Sequence, residues 1–145
     1  MTPTDTLTDQ QRRLVTDSFA QLVPISAEST TLFYNRLWEI APETKPLFNT
    51  TDMAAQGMKL MQTLGVAVRA LHDLDSLRPF LLDLGQRHIG YGVSQEQYAA
   101  VGAALLWMLE QSLGDEFTPE LHQAWDSAYR LISDITQQVY DQRSA

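Results

Sequence analysis

The 145-residue sequence has no cysteine. Disulfides, thiolate metal sites and cysteine nucleophiles are therefore excluded, and the composition suits a reducing compartment, so a cytoplasmic protein is expected. Histidine is scarce, with only His72, His88 and His122. Basic residues are outnumbered, 10 Lys+Arg against 18 Asp+Glu, for a formal net charge of -8. Nucleic-acid and anionic-membrane partners need clustered cations, so no nucleic acid and no membrane are expected as partners. No apolar run reaches the ~18 residues of a membrane span. The opening Met1-Thr2-Pro3-Thr4-Asp5-Thr6 lacks the basic and apolar regions of a signal peptide. No HExxH, GxSxG, GxGxxG or phosphate loop occurs, which argues against zinc and serine hydrolases.

The sequence does contain helical periodicity from end to end, without sustained strand-like alternation. Thr8-Asp9-Gln10-Gln11 reads as a capping box opening a helix to about Val23. Pro24 should break that helix, and Ser26 restarts one to about Ile40. Pro42 opens a short helical turn ending near Phe48, because proline suits the first helical position. A long amphipathic helix is expected from about Asp52 to His72. The next one is capped by Asp75 or Ser76 and closed by Gly90 and Gly92. Ser94-Gln95-Glu96-Gln97 is a second capping box, and the helix it opens ends at Gly114. Thr118-Pro119-Glu120 begins the last helix, with Leu121, Trp125, Ala128, Ile132, Ile135 and Val139 inward. Six long helices and a short one make a single all-α domain over residues 1–145. Its ends, 1–7 and 141–145, should fray.

Leu81, Leu84 and His88 fall at i, i+3 and i+7, so a histidine ends an apolar stripe. A satisfied core histidine is one reading of that position; a ligand is the other. A lone imidazole among apolar residues suits haem, whose iron takes a single proximal histidine while apolar side chains cover the macrocycle. His72, beside Asp73 and Asp75, and His122, in the first turn of the last helix, read as surface or capping residues.

Several short motifs then occur in order: Phe33-Tyr34-Asn35-Arg36-Leu37, Pro42 with Phe48 six residues on, Gln56, and Lys59-Leu60-Met61-Gln62-Thr63-Leu64-Gly65. Leu84-Gly85-Gln86-Arg87-His88, Gly92-Val93 and Tyr98-Ala99-Ala100-Val101-Gly102 follow. Over roughly Thr8 to Tyr140 the chain resembles a globin, most of all the bacterial single-domain globins similar to the haem domain of flavohaemoglobins. The resemblance implies a globin fold, with helices crossing at about 50° around a haem pocket. It implies heme b (iron protoporphyrin IX) as cofactor and His88 as the proximal iron ligand. Leu84 would lie under the porphyrin, Phe48 would wedge it, and Val93 would pack at its edge. Leu60 sits one turn beyond Gln56. Lys59 and Arg87 would pair with the propionates, or else are plain surface cations.

On the distal side the resemblance places Tyr34 and Gln56 opposite the iron as two neutral donors to bound dioxygen, with no distal histidine. Local packing of a core aromatic is the other reading of Tyr34. On the proximal side Tyr98 resembles a family tyrosine in a hydrogen-bond network around the ligand. The glutamate that completes that network is missing; Tyr140 stands there, followed by Asp141. A carboxylate on the imidazole would push electrons to iron, so its absence weakens a peroxidase-like push. No flavin or nicotinamide module is seen. Three functions are compatible with this. One is an oxygen-binding haem protein with nitric oxide dioxygenase activity, served by a separate electron-donating reductase. The second is a non-enzymatic carrier, store or sensor of dioxygen and other diatomic gases such as nitric oxide and carbon monoxide. The third is a haem-free interaction protein, which the presence of both His88 and Phe48 disfavours.

Overall fold

The computed structural model describes residues 7–48 and 51–144, with side chains up to Tyr140. The described residues form six α-helices: α1 (Asp9–Leu22), α2 (Ser26–Ile40), α3 (Met53–Ala70), α4 (Leu74–Gly90), α5 (Gln95–Leu113) and α6 (Pro119–Ser144). Three 3₁₀ turns, Val23–Ile25, Pro42–Phe48 and Gly114–Glu116, join them. No strand occurs among the described residues, and none of their helices is long and apolar enough to cross a membrane.

Capping chemistry sets most helix starts. The Thr8 hydroxyl accepts from the Gln11 backbone N–H and the Gln11 side chain accepts from the Thr8 N–H, each at 3.0 Å. At α3 the Asp52 carboxylate accepts from the N–H groups of Ala54 and Ala55. At α5 the Gln97 side chain accepts from the Ser94 N–H at 3.0 Å. These bonds satisfy donors that a helix N-terminus otherwise leaves unpaired.

Pro24 ends α1 as the sequence reading expects: the helix stops at Leu22, a 3₁₀ turn spans Val23–Ile25 and α2 restarts at Ser26, with the missing proline N–H not needed so early in the turn. Two boundaries differ from the sequence reading. α4 is capped by Asp73, whose carboxylate accepts from Ser76 N–H, not by Asp75 or Ser76. At its other end only Gly92 takes a positive φ, +86°; Gly90 stays helical. The fraying expected of 1–7 does not extend to Leu7, which is only 3% exposed and joins the core. α6 continues to Ser144, while residues 1–6 and 145 lie outside the described residues.

The core joins α1, α2, α5 and α6 through Val15, Leu22, Phe33, Leu37, Met108, Leu109, Trp125 and Ile135. Burying a side chain of this kind contributes about 1.5–3 kcal/mol each. Two polar contacts lie within the core: Trp125 Nε1 donates to Ser18 Oγ at 2.8 Å, and Ser29 and Ser112 hydroxyls meet at 2.8 Å. α4 lies directly on α6. A Cβ built on Gly85 would come within 2.1 Å of the Thr136 carbonyl oxygen, so only glycine allows this approach.

Candidate functional site

Between α3, α4, α5 and α6 the helices leave an apolar cavity of about 160 Å³. The i, i+3, i+4 rows of α3 supply Leu60, Thr63, Leu64 and Ala67, with Leu71 just past its end; α4 supplies Leu84 and His88. Val93, Tyr98 and Val101 close one wall and Ile132 of α6 another. Gly92 turns the chain sharply after α4, which brings Val93 to this wall.

His88 is the one imidazole on the cavity. Its Nδ1 lies 2.7 Å from the Leu84 carbonyl oxygen. A carbonyl can only accept, so Nδ1 carries the hydrogen and Nε2 keeps its lone pair. Burial pulls the His88 pKa below its ordinary value; the Leu84 bond opposes this and the Arg87 charge adds to it. The ring is thus held neutral, in one tautomer, as a ligand nitrogen requires.

Behind it stands Tyr98, its ring 5.9 Å from the His88 ring. Tyr98 is only 7% exposed, and its hydroxyl has no hydrogen-bond partner of good geometry. Burial first, and then the neighbouring Tyr140 hydroxyl, raise its pKa. Tyr140 packs edge-on against it at 5.7 Å and donates to the Val93 carbonyl oxygen at 2.6 Å. Tyr98, Tyr140 and the Val93 carbonyl thus stand together near the His88 ring; the side chain of Asp141 lies outside the described ones.

The remaining predicted residues form a second group. Gln56 Nε2 donates to the Tyr34 hydroxyl at 3.2 Å. Phe48 meets the Tyr34 ring edge-on at 5.3 Å. Phe33 and Trp38 complete an aromatic cluster with them. Burial raises the Tyr34 pKa, partly offset by the Gln56 bond, so the phenol keeps its proton at neutral pH. Of the predicted residues, the cavity wall holds Leu60, Leu84, His88, Val93 and Tyr98; Tyr34, Phe48 and Gln56 are joined to one another instead. Lys59 is exposed. Arg87 pairs with Asp83 at 3.1 Å and lies over the Phe80 ring, an arrangement that suits the surface-cation reading. The other two histidines lie elsewhere: His72 meets the Thr16 hydroxyl at 3.0 Å, and His122 is exposed.

Sequence reasoning missed Tyr129. Its ring lies against Gly102, where a Cβ would sit 2.7 Å away, and its hydroxyl donates to the Tyr98 carbonyl at 2.6 Å. The signal was there: Tyr129 follows Trp125 by one helical turn on the inward face of α6.

A single neutral imidazole, one coordinating nitrogen free, and walls of Leu, Val and Ile fit the donor set and the apolar cover that haem needs. Comparison with known proteins agrees. The globin family model matches residues 31–136. The chain belongs to the globin family. This globin is 32% identical over 139 residues to neuroglobin of Chaenocephalus aceratus, covering 87% of each chain. It is 33% identical to a flavohemoprotein of Oceanobacillus iheyensis, covering 93% of this chain but 34% of that one. A bacterial globin from Campylobacter jejuni superposes with a TM-score of 0.80 at 28% identity, over 92% of this chain and 99% of that one. An engineered carbene transferase, made from a putative nitric oxide dioxygenase of Rhodothermus marinus, gives 0.80 and 28% over 97% and 100%. Family membership carries haem binding and an oxygen-related function, with diatomic gases as ligands.

Proposed function

We propose that this globin holds heme b on His88, binds dioxygen reversibly and, with electrons from a separate reductase, acts as a nitric oxide dioxygenase in the cytoplasm. The observation that carries the reading is the His88 ring: Nδ1 bonded to Leu84 and Nε2 free on the wall of an apolar cavity. When bound, the haem iron supplies the site at which dioxygen is held and made reactive towards nitric oxide. The reaction balances as dioxygen, nitric oxide and one electron giving nitrate.

The chain's own residues have distinct parts in this reading. His88 orients the haem and gives it its protein bond. Leu60, Leu84 and Val93 exclude water, which strengthens any polar contact made inside. Tyr34 is the donor to the ligand; Gln56, by donating to the phenol oxygen, holds that hydroxyl in place and leaves its proton for another acceptor. Phe48 braces the Tyr34 ring and wedges the macrocycle.

A non-enzymatic oxygen carrier, store or sensor is the second reading. The Leu84 carbonyl favours it, since a neutral acceptor on Nδ1 gives the iron less electron density than a carboxylate would. Nitric oxide consumption by haem-loaded protein, with a cell-derived reductase and a reduced nicotinamide, separates the two. Catalytic nitrate formation supports the dioxygenase; a single turnover with no reductase-driven cycle supports the carrier.

A further inference from the structure

The three tryptophans stand differently in the fold. Trp125 lies in the core and Trp38 packs against it; Trp107, on α5, does neither. Trp107 is half-buried, and the Arg36 guanidinium of α2 lies over it, 5.3 Å from the ring centroid. Arg36 has a buried Nε without a hydrogen-bond partner. The ion pairs of the described residues belong to Arg12, Arg87 and Arg130, so Arg36 has no carboxylate among them. Tryptophan and arginine are among the residue types most enriched at the energetic centres of protein interfaces.

The outward side of α5 is shaped to receive this pair. Glu96, Ala99, Ala103, Trp107 and Glu110 recur at helical spacing and share one face. All of them except Trp107 are exposed. Ala99 stands as far before Ala103 as Trp107 stands after it, about 6 Å along the axis. In a two-fold interface the same patch serves both copies, so residue i meets j and j meets i. With the two helices antiparallel and the axis at Ala103, each Trp107 ring lies on Ala99 of the partner subunit. Arg36, over Trp107, then reaches Glu96 of the partner subunit. It also stands between that carboxylate and Glu110 of its own chain, which would otherwise repel each other.

We propose that the outward face of α5 is the interface of a two-fold dimer of this globin. The occupant is a second copy because the face complements itself, with tryptophan and cation at one end and a small residue and carboxylate at the other. One helix and one arginine from each copy make a small interface, so the dimer is weak. The charge of -8 on each copy opposes it. Salt screens exposed charges more than covered ones, so salt should strengthen the association. None of this depends on the haem reading.

The test is sedimentation equilibrium of the purified protein up to about 1 mM, at low and high salt. The average mass should rise with concentration towards twice that of the monomer. Ala103→Glu places two new carboxylates on the axis and should stay monomeric with an unchanged melting curve. Arg36→Glu should weaken association about tenfold or more. Adding Glu96→Arg to it reverses the pair and should restore the dimer. The chain has no cysteine of its own, so Ala103→Cys can form only a disulfide between two copies. On oxidation it should become covalent dimer much faster than Asp134→Cys, on the exposed side of α6. A wild type that is monomeric throughout would overturn the proposal. So would a dimer unaffected by Ala103→Glu, no rescue of Arg36→Glu by Glu96→Arg, or equal cross-linking of the two cysteine variants.

Discussion

The Gln56 amide nitrogen lies 3.2 Å from the Tyr34 hydroxyl oxygen and is the donor of that bond. The glutamine therefore spends a donor on the tyrosine, and the tyrosine keeps its own. A phenol donating to a ligand that gains negative charge on binding makes a charge-assisted bond worth about 1.5–3 kcal/mol. Since about 1.4 kcal/mol is tenfold in an equilibrium constant, Tyr34→Phe should weaken oxygen affinity roughly 10- to 100-fold. Most of the loss should fall on the dissociation rate. Carbon monoxide, with little charge on its oxygen, should change much less. Gln56→Leu acts only by releasing the phenol and should raise oxygen dissociation less than Tyr34→Phe. Stopped-flow dissociation of both gases measures all of these; equal shifts for the two gases would remove Tyr34 as donor.

His88→Ala should lose haem, and added imidazole should restore part of the binding. His72 is tied to Thr16 on α1 and His122 faces solvent on α6, so neither can take over. Soret titration of the variant with and without imidazole decides it. Full haem retention with an unchanged ferrous spectrum would move the ligand elsewhere.

In the haem-free chain the same residue should make folding sensitive to acid. Burial holds the His88 pKa below its ordinary 6.5. Its contribution is complete above that value and is lost as the pH falls below it. There the unfolded chain takes up a proton that the folded chain refuses. The slope cannot exceed about 1.4 kcal/mol per pH unit from one group. Denaturant midpoints between pH 7.5 and 5 should fall more steeply for wild type than for His88→Asn. Parallel curves would mean that the folded ring titrates normally.

Two glycines of α4 should respond oppositely to alanine. At Gly85 the new methyl would press on the Thr136 carbonyl, and overpacking of this kind costs about 1–3 kcal/mol. The melting temperature should then fall by roughly 2–12 °C for a chain of this size. Gly90 has nothing within 4 Å of its Cβ position and a helical backbone. Gly90→Ala should gain up to about 1 kcal/mol. Thermal melts of the two variants give the answer.

Much of this was legible in the sequence because the strongest local signals agreed with tertiary structure. The Thr8 and Asp52 starts, the stop at Gly114 and the Leu81–Leu84–His88 stripe depend on neighbours within one or two turns. Where several residues could serve, local chemistry did not choose. Asp73, Asp75 and Ser76 are all good caps, and Asp73 sits in the turn that closes α3, where its N–H donates to the Ala70 carbonyl and its carboxylate is left to cap α4. Gly90 and Gly92 can both turn left-handed, and only the folded chain shows that Gly92 is the one that does. Charges were the least legible. The i, i+4 spacing of Asp83 and Arg87 permits their pair, but nothing in spacing tells whether an arginine prefers a carboxylate on its own helix or a ligand. Tyr129 escaped because its place is made by Gly102, twenty-seven residues away.

The Tyr140 hydroxyl reaches back across the molecule to the Val93 carbonyl, just beyond the helix that ends with His88. α6 also covers α4 along its length at Gly85. On the ribosome, His88 is made some 50 residues before Tyr140, which at about 5–20 residues per second is a wait of several seconds. Throughout that interval the proximal helix has no α6 to lie on and the turn after it has no clamp. Haem capture on His88 is therefore expected late in biosynthesis, and a stop codon in α6 ahead of Thr136 should yield a chain that is made but never coloured.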